Sequence, residues 1–133
     1  MTRGRQQRQR GQETLQAVLA VAFILLPVLF GIVELGGLIH VWIGEQAAAA
    51  IGARVAGERG EDDAIVRDRI RAELVAAGLD PSRVQVNITP ASVRWGQPIA
   101  VQVISHRHIA VPFLFTRDLT LASRYVGRGE VNH

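Results

Sequence analysis

Residues 15 to 33, LQAVLAVAFILLPVLFGIV, form a nearly unbroken apolar run directly behind the basic leader MTRGRQQRQRG. At about 1.5 Å per residue, a helix from Leu15 to Glu34 measures about 29 Å, the thickness of a bilayer's hydrocarbon core. The sequence therefore predicts a membrane-inserted chain with a transmembrane segment over about residues 15–39. A cleaved secretory signal fits poorly, because signal h-regions run about 7–15 residues. The small residues Ala47, Ala48 and Ala49 also lie well beyond the run, past Trp42.

Charge sets the expected orientation. Arg3, Arg5, Arg8 and Arg10 precede the span with no compensating acid, and basic flanks stay cytoplasmic. The reading is a single pass of the cytoplasmic membrane, with residues 1–11 as a cytoplasmic leader, 12–57 as a long helix and 58–133 as a small extracytoplasmic domain. The formal charge of +3 and pI of 10.9 are carried by the leader, since the remaining arginines are outnumbered by the 12 acids. Nucleic acid is therefore excluded as a partner. Cysteine is absent, so a carboxy-terminal unit of this size, marginal as a lone core, is expected to lean on the outer end of its own helix.

Within the span, Gln16 is the one polar side chain between Leu15 and Val33, near the cytoplasmic interface where its cost is modest. Pro27 removes one N–H from the ladder and frees the carbonyl of Phe23, so a bend is expected there. Glu34 falls at the outer interface by length, Trp42 suits an interfacial anchor, and His40 reads as a surface residue. Beyond them, Ala48, Gly52 and Ala56 stack at four-residue spacing, with Ala49, Ala53 and Gly57 on the adjacent line. Such small lines let another element approach closely.

Glu61-Asp62-Asp63 then places acids at the start of a second helix. Ile65/Val66, Ile70, Leu74 and Ala77 give it one apolar face, and Asp63–Arg67 and Arg69–Glu73 are i,i+4 pairs on the other. Gly78 before Leu79-Asp80-Pro81 reads as its stop. After Pro81 the period becomes two, around Val84–Ile88, Ile99–Val103 and Leu119–Leu121, which predicts three strands. Trp95-Gly96-Gln97-Pro98 marks a turn, and Val111–Phe115, VPFLF, is expected to cross and cover one sheet face. The fold class is α+β: a long amino-terminal transmembrane helix, a short helix and a small three-stranded antiparallel sheet.

Chemistry is sparse. His106 and His108 share one face of an extended segment but lack further ligands to complete a metal shell. Ser82, Ser92, Ser105 and Ser123 sit in no nucleophile motif, and no glycine-rich phosphate loop is present. No catalytic residue, metal or cofactor is expected, and the chain does not read as an enzyme.

Arg10-Gly11, the short polar stretch after it, the apolar helix with Pro27 and GIVELG at Gly31–Gly36 together resemble the TadE-like family of pilin-related proteins, in the tight-adherence (Tad) branch of type IV pilus machines. The resemblance covers the first 57 residues and extends loosely over GQPIAVQVISH and LTLASRYVGRGE. It implies cutting by a membrane-embedded prepilin peptidase between Gly11 and Gln12. Pilins usually carry glutamate as the fifth residue after the cut, where this chain has Gln16, with Glu13 at the second. The implied function is a minor pilin-like subunit or assembly accessory of a Tad-type pilus, in the membrane or in a surface pilus. Its implied partners are other pilin-like subunits and Tad assembly proteins. The alternatives are an uncleaved membrane scaffold of the assembly platform and a membrane-anchored binding domain unrelated to pili.

Overall fold

The structure, a computed structural model, describes residues 2–132; Met1 and His133, at the ends of the leader and of the carboxy-terminal domain, lie outside the described residues. Helix α1 spans Thr2–Arg59, α2 spans Ala64–Ala76, and strands β1 (Val84–Thr89), β2 (Pro98–Val111) and β3 (Phe115–Arg128) follow. The sheet is antiparallel in the order β1-β2-β3. The α+β class is thus as read from the pattern, with α1 extended at both ends so that Gly11 and the leader lie inside it. It runs through Pro27 as one helix.

Three local readings change. The acids before α2 lie outside its first turn, and Asp63 is instead the N-cap, accepting from the Val66 N–H at 2.9 Å. The cap holds its carboxyl below the usual range, chiefly through that backbone N–H. With Asp63 so used and also paired to Arg59, Arg67 turns to Asp62, donating from Nε and Nη2 at 2.8 Å each. Arg69–Glu73 does pair, at 3.6 Å. At the other end of α2, Gly78 takes φ +77°, and its N–H and that of Leu79 return to Val75 and Leu74, a glycine-dependent closure of the last turn.

The third change is VPFLF, which is the turn of a long hairpin and covers no sheet face. The β2–β3 ladder runs from Pro98↔Arg128 to Val111↔Phe115, a length of about 45 Å. Phe113 closes it at φ +66°, with the Leu114 N–H bonded to the Val111 carbonyl at 3.1 Å. Strand β1 pairs only with Ala100–Ser105, so beyond Ser105 the sheet narrows to β2 and β3.

The core lies where α1 and α2 cover the odd-numbered face of β2. Ala48, Ala49, Ala53 and Ala56 of α1 and Val66, Ile70 and Leu74 of α2 meet Ile99, Val101 and Val103. The approach of helix to sheet is close: a Cβ on Gly52 would lie 2.6 Å from Cγ1 of Ile70 and 3.2 Å from Cγ1 of Val101. One on Gly57 would lie 2.5 Å from the Arg128 carbonyl oxygen, and one on Gly127 would run into the Ala53 carbonyl. The end of α1 is tied in by backbone bonds, Glu130 N–H to Gly57 O at 2.9 Å and Val93 N–H to Gly60 O at 2.7 Å.

Gly52→Leu and Gly57→Ala are each expected to cost about 1–3 kcal/mol by overpacking, the latter despite alanine's better helix propensity. Thermal melts of the detergent-solubilised chain measure this. An unchanged midpoint for Gly57→Ala would mean that α1 and β3 are not in contact there.

Candidate functional site

The surface that stands out is the first half of α1. Of residues 15–33 only Pro27 is buried and Ala22 and Gly31 half-buried, so the apolar run lies almost wholly uncovered. This one helix is long and apolar enough to cross a membrane. Gly11, Gln12 and Gln16 are all exposed on it, and nothing lies within 4 Å of where a Cβ on Gly11 would stand. The segment around Gly11 is open on every side to another protein. Ala48, Gly52 and Ala56 occupy the opposite situation, fully enclosed by α2 and the sheet.

Between these halves the hairpin lies against α1. Leu121 lines a shallow apolar pocket with Leu38 and Trp42, and an apolar groove of about 510 Å³ farther down is walled by Pro27, Gly31 and Glu34 on one side and Val111, Phe115 and Arg117 on the other. The Phe113 ring reaches Phe23, centroid to centroid 5.3 Å. Glu34 is half-buried in this groove, which Arg117 lines from the opposite wall.

A buried carboxyl lies farther along α1. Glu45 is 0 % exposed; its Oε1 accepts from Ser105 Oγ, and its Oε2 has no partner among the described residues. Burial pushes its pKa up from the ordinary carboxyl value, opposed by the Ser105 hydrogen bond and the positive charge of Arg107. Beside it opens a cleft of about 300 Å³ that also takes in His40, Arg83 and Arg107. His40 Nε2 donates to the Ala77 carbonyl at 3.0 Å, joining α1 to the end of α2. Sequence reasoning passed over Glu45, although its place on the stripe of Val41, Ala48, Gly52 and Ala56 was a signal that it faces inward.

His106 and His108 sit on the outer sheet face, His106 paired to Thr120 at 3.1 Å and His108 to Asp118 at 2.6 Å across the ladder. Among the described residues no group of three or more His, Cys, Asp or Glu is arranged to hold a metal. Compared with known proteins, the chain matches no family model, no curated protein and no solved structure.

The raised pKa of Glu45 has a definite sign. A carboxyl that binds its proton more tightly folded than unfolded contributes stability below its unfolded value, about 4.3, and loses it as pH rises through the folded value. Glu45→Gln keeps an acceptor for Ser105 and removes the charge. The melting midpoint of the variant is expected to gain on the wild type as pH rises above the ordinary carboxyl value. A difference that stays constant as pH rises would show that Glu45 does not titrate in the fold.

Proposed function

We propose that the chain is a minor pilin-like, TadE-like subunit or assembly accessory of a Tad-type pilus, a single-pass protein of the cytoplasmic membrane. It works by packing and surface recognition, without catalysis. The observation that carries this reading is the division of one continuous helix into a bare apolar half and a half built into a small α+β head, behind a basic leader ending in Arg10-Gly11. The bare half suits lipid or the helices of other pilin-like subunits, and the head stands clear for recognition. In this reading the leader arginines keep the amino terminus cytoplasmic, and the head lies across the membrane or on a surface pilus.

Removal of the leader by a prepilin peptidase is part of the proposal, with Gly11 and Gln12 flanking the cut. Glycine is among the poorest helix formers, so unwinding α1 at Gly11 costs little. Two observations favour a second reading, an uncleaved scaffold of the assembly platform: α1 continues through Gly11 to Thr2, and Gln16 stands where a pilin's carboxylate is usual. Intact mass of the membrane-extracted protein separates the two. A chain starting at Gln12 is expected; full-length protein alone, from cells with an active prepilin peptidase, would favour the scaffold.

Gln16 also bears on abundance. In a filament an amide cannot neutralise a neighbouring terminal ammonium, and an unpaired buried charge costs several kcal/mol. The subunit should therefore be rare or terminal unless Glu13 serves instead. Incorporation into sheared pili is expected to rise with Gln16→Glu and to fall with Glu13→Ala. Abundant wild-type protein, unchanged by either substitution, would remove the charge argument.

A further inference from the structure

We propose that the tip of the β2–β3 hairpin, Val111–Phe115, is a lipid-binding wedge. It enters the acyl region of the leaflet on the head's side of the membrane, next to the chain's own span. The inference goes beyond the pilus reading and rests on one part of it, that the apolar half of α1 crosses a bilayer.

The first argument is a length. Phe113 packs on Phe23, thirteen residues beyond Arg10, or about 20 Å along the helix. Hydrocarbon is about 30 Å thick. In the full-length chain, before any removal of the leader, the arginines hold Arg10 at the cytoplasmic boundary, so the slab ends at about residue 30, a turn before Glu34, and extends about 10 Å past the level of the tip. Snorkelling of Arg10 reduces that depth by a few ångströms. The tip thus reaches about 5–10 Å into the leaflet, the depth at which apolar faces of interfacial elements rest.

The second argument is chemical and independent of the first. The turn is apolar throughout, and Phe113, at 78 % exposed, and Leu114, at 65 %, are largely uncovered. Three ladder steps above the turn, at about 10 Å, the character changes to the His108–Asp118 pair, with Arg107 and Arg117 beside it. The height of the apolar end matches the depth that the helix requires. The collar is on balance basic, which suits the phosphates of anionic lipids. Open strand edges are not tolerated in hydrocarbon, and the free edges of β2 and β3 above the turn set the limit of entry.

The test uses the full chain in vesicles of phosphatidylethanolamine and phosphatidylglycerol, with Trp42 and Trp95 replaced by phenylalanine and a single tryptophan introduced by Phe113→Trp. Lipids brominated high on the acyl chain are expected to remove the larger part of its emission, and lipids brominated near the chain end less. Leu19→Trp reports on the span and Thr89→Trp on the head. Quenching at 113 and 19 but not at 89 supports the wedge. Quenching at 19 alone overturns it while leaving the span intact. Emission at 113 that escapes bromine and shifts to the blue as protein density rises identifies a second copy as the cover, which also overturns it. Loss of quenching at both 113 and 19 overturns the span and the wedge together.

Discussion

The arrangement depends on the closeness with which α1 approaches the sheet. Ala48, Ala49, Gly52, Ala53, Ala56 and Gly57 remove side-chain bulk from one side of the helix for nearly three turns. Gly127 answers from β3, so that helix and strand backbones meet directly at Ala53 and Gly57. The residues after α1 are too few to enclose a large core of their own. They gain one by using the helix as a wall, and branched side chains from α2 and β2 fill the space the alanines leave.

That contact also dictates where the hairpin goes. With Arg128 held against Gly57, β3 runs back along α1, and its length of about 45 Å is close to the helix length from Gly57 to Phe23, about 51 Å. The turn therefore arrives beside the apolar run, and Phe113 finds Phe23. The same hairpin is polar at Asp118 and His108 and apolar at its end, a gradient that parallels the one along α1 from Glu34 to Phe23.

The elements that were legible in the sequence are those with a clean period: the long helix, the face of Val66, Ile70 and Leu74, and the alternation at Val84–Ile88 and Ile99–Val103. The extent of the hairpin was hidden because its lower half mixes charges into the inward positions, as at Arg107 and Arg117, and because its turn has no glycine. Phe113 adopts a positive φ that glycine usually supplies, which made VPFLF read as a covering segment. The exchange of partners among Arg59, Asp62, Asp63 and Arg67 was out of reach for another reason. Spacing along a helix cannot tell that Asp63 is occupied as a cap. Glu45 was hidden by its charge, which outweighed its position on an inward stripe.

Glu45 makes sense once the degeneracy of that stripe is considered. Small residues repeated every four positions offer nearly the same surface after a slide of one turn, so alanines and glycines alone leave the register of α1 loosely specified. A buried polar contact penalises every register but one, at some cost in stability. Glu45 with Ser105 is such a contact; His40 adds an exposed hydrogen bond to the Ala77 carbonyl, on a different element, and Gly44 between them fits only against Ala77 and Leu79. A one-turn slide would shift the head by about 5 Å along the helix, as much as the shallower estimate of the tip's depth in the leaflet. These polar contacts in the head tie the position of Phe113 along the apolar run to the seating of Glu45 and His40.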